Sequence, residues 1–169
     1  AERQQGEMET KEGEPSPVRS PKSEHGLYLF CCARNGFPTA ALEGNGVDGR
    51  HPVYSWSFLD VAAVVSQISL EEFCGPTAEA RMKDLAWMGP RACRHEAVVE
   101  RIMRHRPVLP VRFGAIFSSL ESLENFLKTH YNSIMRFLDQ VTDQEEWGIK
   151  VLLDQTEAQK SIFSTILAA

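Results

Sequence analysis

The chain has 169 residues, 43% hydrophobic and 24% charged, with 18 basic against 23 acidic side chains and a formal net charge of −5. This is the make-up of a soluble globular protein of one domain, or one domain and part of another. The acidic balance argues against wholesale nucleic acid binding, no run approaches the roughly 18 apolar residues that span a bilayer, and the polar start carries no secretory signal, so the expected location is cytoplasmic.

Residues 1–24 are rich in Glu, Pro, Ser, Lys and Gln and lack any aromatic side chain. Such a segment buries too little surface to offset its ordering entropy and reads as a disordered polar tail. The lack of an initial methionine points to a processed, trimmed or partial chain. Order is expected from residue 25. Residues 27–33 form an apolar run of strand length, closed by Asn35-Gly36 and Pro38. Cys31 and Cys32, adjacent in a strand, point to opposite faces. With Cys74 and Cys93 they match no zinc spacing, and all four read as reduced structural thiols.

Gly44, Asn45, Gly46, Asp48 and Gly49 build a loop of residues that tolerate positive φ. It has neither the lysine of a P-loop nor a dinucleotide fingerprint, so a plain turn is expected rather than a phosphate cradle. Residues 52–58 alternate, placing Tyr54, Trp56 and Phe58 on one aromatic face of a strand. Leu59 and Asp60 turn the chain into a second strand over 61–65. Thr77 is expected to cap a helix through Met88, and Gly89-Pro90 to start the next, with Pro90 at its first position.

In that next helix Ala92, His95, Val99, Ile102 and Arg106 recur at helical steps, widened by Val98 and Met103. Pro107 stops it. Residues 108–113 read as a buried strand in which Pro110, having no amide, belongs at an edge or beside a bulge. Arg112, inside that strand, is expected to reach a carboxylate or the sheet rim, and Phe113 to be core. Ser118 and Glu121 form a capping box for a long amphipathic helix over 118–142. Leu120, Leu127, Ile134 and Val141 repeat every seven residues along it, with Leu123 and Phe137 at the other core position and His130 interrupting. Residues 143–146 connect to a strand over 147–153 and a helix over 156–167, too little to close a sheet alone.

His95-Glu96 invites a hydrolase reading, but position 99 is Val where a zinc protease pattern needs a second histidine. A hydrogen-bonded core histidine is the expectation, and no metal or cofactor is called for. Between Arg81 and Arg112 there are eight Lys or Arg against three Asp or Glu. With few aromatic residues alongside, this reads as a solvated face or a salt-sensitive protein contact.

The stretch from Asp84 to Trp87, His95-Glu96 with the valines that follow, and above all PVLPVRFGAIFSS over 107–119 resemble the gas vesicle protein F/L family. So do Glu146, Trp147, Gly148, Lys150 and Val151. Trp87, His95, Glu96, Pro110, Arg112, Phe113, Gly114, Trp147, Gly148 and Lys150 are the motif residues, taken as mainly structural. The resemblance implies a non-enzymatic α+β protein: a small sheet packed with helices over 25–117, a long linking helix over 118–142, and over 143–169 the start of a truncated second domain of ferredoxin-like fold. It also implies a role in vesicle assembly and as a minor structural component, with the small apolar shell subunit and other accessory vesicle proteins as partners. Tyr54, Trp56, Leu120, Leu127 and Ile134 are the candidate contact residues. The alternatives are a small hydrolase using His95 and Glu96, or a regulatory α+β adaptor with an unrelated ligand.

Overall fold

The structure, a computed structural model, describes residues 24–144. The polar tail and the expected second-domain strand and helix, including Trp147, Gly148 and Lys150, lie outside these residues. The described part is α+β: an open antiparallel sheet with helices on both faces. Its strands are β1 (His25–Arg34), β2 (Val53–Phe58), β3 (Val61–Ser69), β4 (Val108–Pro110) and β5 (Ile116–Phe117), in the order β2-β3-β1-β4, with β5 also paired to β1.

The central strand β1 is apolar on both sides, as a strand covered by two layers must be. One layer gathers Tyr28, Phe30, Cys31 and Ala33 against Val98, Val99 and Ile102 of helix α3 (Leu85–Met103). The other gathers Leu29 and Cys32 with Val61, Ala63 and Val65 against Leu123, Leu127, Ile134 and Leu138 of helix α4 (Leu120–Val141). Alternation along β1 breaks at Phe30 and Cys31, which share a layer, where the register against β3 shifts between Leu29 and Cys31. An extra residue in one strand turns two neighbours to the same face. Cys32 then resumes the opposite side, so the two thiols do enter different layers.

Two short helices, α1 (Leu70–Cys74) and α2 (Ala78–Lys83), precede α3. Residues 77–88 are not one helix. Thr77 makes no side-chain cap, and Asp84 is extended and starts α3 by accepting the Ala86 amide on Oδ1 at 2.9 Å. Pro90 therefore lies inside α3 rather than at its first position, and the main-chain bond it forgoes is to Ala86, one turn back. Met103, assigned to the apolar stripe from sequence, is 56% exposed.

The expected strand over 108–113 is only three residues long. Pro110 pairs with Cys31 at the sheet edge, next to the bulge, so both features compatible with a strand proline coincide. The chain leaves the ladder after Val111, whose amide donates to the Phe30 carbonyl, and returns at β5. The cap of α4 is Ser119 exchanging bonds with Ser122, one residue later than the Ser118–Glu121 box. Helix α4 is a layer of this domain, so Leu127 and Ile134, 0% and 2% exposed, are core and not contact surface. The seven-residue reading put Leu120 in line with them, whereas the helix buries positions 123, 127, 134 and 138, a 3.6-residue stripe that leaves Leu120 38% exposed and His130 exposed.

Candidate functional site

Of the described motif residues, His95 is the most enclosed, at 4% exposure. The Gly114 amide donates to Tyr28 Oη at 3.2 Å, and the tyrosine hydroxyl and His95 Nδ1 share a hydrogen bond of 2.9 Å. The Val111 carbonyl is the imidazole's second partner. Burial pushes the imidazole below its ordinary value, opposed by the Glu96 carboxylate and the Val111 bond. Burial likewise pushes the Tyr28 phenol up. The relay fastens α3, β1 and the 111–114 turn together. Glu96, one residue on, is exposed, so the two side chains diverge around the helix and share no cleft. Cys93 is exposed too, on a different face from His95.

Phe113 packs half-buried against the α3 layer, edge-on to Tyr28 and His95 at 5.9 and 6.0 Å. Gly114 takes φ +89°, left-handed space where a side chain is strained. Arg112 is not in a strand but on this turn, exposed, and among the described residues it meets no carboxylate. Trp87 packs on Phe73 at 5.3 Å, and the Arg91 guanidinium lies over the indole at 4.0 Å.

The basic stretch is less solvated than its composition implies. Arg91 bonds Glu72 at 2.5 Å, Arg94 Nε donates to the Val47 carbonyl at 2.9 Å, and Arg106 donates to the Gly36 carbonyl at 3.2 Å. These arginines stitch α3 to α1 and to the loops after β1. Arg104 and Glu100 do form the expected pair four residues apart, at 2.8 Å. The glycine-rich loop is organised by Asp48, which the sequence marks only as a turn residue: 8% exposed, it accepts from the Arg50 and His51 amides and from His51 Nδ1 at 2.5 Å. Burial raises its pKa, but these bonds outweigh it and hold the carboxyl below its usual range. The signal was available as Asp-Gly followed by two donors, an Asx-turn pattern.

The one aromatic face predicted from alternation borders a groove of about 380 Å³ between β2, the start of β1 and the first turn of α4. Tyr54, Trp56, Leu27, Gln67, His25 and Leu120 line it; none of the described lining residues is Asp, Glu, Lys or Arg. Trp56 reaches the α4 layer while Tyr54 stays 37% exposed. Three of the five candidate contact residues, Tyr54, Trp56 and Leu120, are thus brought together, and the other two are not.

The family model described as gas vesicle synthesis protein GvpL/GvpF matches residues 26–166. Gas vesicle protein L of a Streptomyces species is 26% identical over 133 residues, 79% of this chain and 50% of that protein. Gas vesicle protein F2 of Halobacterium salinarum is 28% identical over 133 residues, 77% of this chain and 55% of that protein. The crystal structure of GvpF from Anabaena superposes with a TM-score of 0.53 at 21% identity, over 69% of this chain and 43% of that one, a likeness of fold. The chain spans about half the length of the curated relatives it matches. The family match across nearly the whole described domain, on the same open sheet packed with helices, places this chain in the GvpL/GvpF family of gas vesicle synthesis proteins.

Proposed function

We propose that this protein is a vesicle assembly factor, and a minor component of the vesicle, that binds the small apolar shell subunit before it is incorporated. The observation that carries this reading is the groove around Tyr54, Trp56 and Leu120, with no Asp, Glu, Lys or Arg among its described lining residues, in a member of a gas vesicle synthesis family. A shell subunit on its way to the wall has apolar surface to hide, and an apolar, aromatic-lined groove suits a partner of that kind. Other accessory vesicle proteins are further partners on this reading, and the site of action is the vesicle and the surrounding cytoplasm. His95 and Arg91 serve architecture: one is spent on the Tyr28 relay, the other on Glu72 and Trp87.

The test is co-purification of the full chain with purified shell subunit. Association is expected, and it should weaken by about tenfold or more when Tyr54 and Trp56 are both changed to Ala, since aromatic anchors carry a large share of interface energy. No association with the folded, unmodified chain would sink the reading.

A further inference from the structure

The two long edges of the sheet differ in how their backbone is treated. Strands β2 and β3 are joined by a two-residue hairpin whose closing pair is Phe58 and Val61. In such a hairpin the closing pair exchanges hydrogen bonds, and bonding then alternates along the ladder. Phe58, Trp56 and Tyr54 therefore spend their amides and carbonyls on β3, while Ser57, Ser55 and Val53 aim theirs away from the sheet. The Val53 amide fits this parity, because it donates outward to the Gly44 carbonyl at 3.2 Å. The loop strand reaches no further, its last bridge being Asn45 to Pro52.

We infer that β2 is a strand-addition site: an extended, uncharged segment of the shell subunit pairs with the outward backbone groups of Ser55 and Ser57, and its groove-side residues continue the apolar surface of Tyr54, Trp56 and Leu120. This rests on the shell-subunit reading above and adds the mode of binding. An exposed edge offers main-chain bonds for affinity and side-chain pockets for choice of partner. The charge of the lining selects the occupant. A strand carrying Asp, Glu, Lys or Arg on its groove side would leave those groups desolvated with no Asp, Glu, Lys or Arg among the described lining residues to meet them, so the complementary segment is one with apolar side chains at alternate positions. Small serines at the two pairing positions also leave room for close approach on the other face.

Ser55→Pro and Ser57→Pro each delete an outward amide while leaving the inward ladder to β3 intact, the arrangement in which a strand tolerates proline. With the full chain and purified shell subunit, each is expected to weaken binding by about tenfold or more, while Ser55→Ala and Ser57→Ala, which keep the amides, bind like the parent. Independently of any variant, amide exchange at Ser55 and Ser57 in the parent protein should slow on adding shell subunit. Shell-subunit binding that survives both proline changes in folded protein, with exchange at Ser55 and Ser57 unaltered, overturns strand addition and leaves the assembly reading in place. Failure of the parent to bind at all removes the assembly reading itself. Exchange at these two amides already slow without partner overturns the inference as well: if the slowing grows with protein concentration a second copy holds the edge, and if it does not, the chain's own segment does.

Discussion

The sheet has two edges built from the same kind of residue and finished in opposite ways. On the β4 side, Pro110 removes a donor and the 111–114 turn lifts the chain off the ladder before β5 resumes it. These are the devices by which an edge is made unfit for pairing. The β2 side has none of them over Tyr54 to Phe58: no proline, no lysine, no bulge, and an unbroken register with β3. A fold that closes one rim so thoroughly and leaves the other straight and aromatic has directed any pairing to one side.

The closed rim can be broken at its anchor. Phe113→Ala removes the ring that holds the turn against Tyr28 and His95, and should cost about 3 kcal/mol, the low end for a phenylalanine because the ring is only half-buried. Urea denaturation measures it, and concentration-dependent association of the variant would show that the rim had become adhesive. Gly114→Ala forces a side chain into φ +89° and should cost about 1–2 kcal/mol in the same assay. Gly89→Ala, at a helical position with nothing within 4 Å of the added methyl group, is the control and should stabilise by roughly 0.5–1 kcal/mol.

A pH series sharpens the same contrast. The folded pKa of His95 lies below its unfolded value of 6.5, so below that pH the unfolded chain binds more protons than the folded one. Stability contributed by the neutral histidine is full above pH 6.5, falls as the pH drops towards the folded pKa, and is gone below it. His95→Gln should flatten that fall in thermal melts between pH 7.5 and 5 (pH values about as wide as the ordinary histidine range). Exchange at the β4–β5 turn should rise over the same interval while β2 stays unchanged. The smallest effect is expected at the open rim's hairpin. Leu59 takes φ +52° and is 68% exposed. Leu59→Gly should relieve that strain and stabilise by less than about 1 kcal/mol, part of the gain being lost to the freer unfolded chain.

What could be read from sequence was whatever repeats. The double-sided apolar run of β1, the alternation of β2, and the helical stripe through His95 and Ile102 each follow from a period that burial imposes on a single element. What could not be read was set by a partner element. Residues 108–113 are apolar but for Arg112, and nothing within the run marks that it leaves the ladder after Val111, whose partner is the Phe30 carbonyl of β1. Asp84 rather than Pro90 starts α3, and Ser119 rather than Ser118 starts α4 through two serines in reciprocal bonding in place of the serine–glutamate pair. In the groove, Tyr54 and Trp56 were visible as an aromatic face. The outward parity of Ser55 and Ser57 was not, because alternation within one strand gives the face of a side chain and not the pairing across the hairpin that directs the backbone groups.

The alternation that resumes after the bulge on β1 also endows the molecule with a pair of internal probes. It delivers Cys31 into one layer and Cys32 into the other, and burial pushes both thiols up, Cys32 to about 12. Cys74 and Cys93 lie outside on the surface and take up an alkylating reagent first. Labelling of the remaining two, followed over time by mass spectrometry, reports separately when the α3 side and the α4 side come away from the sheet.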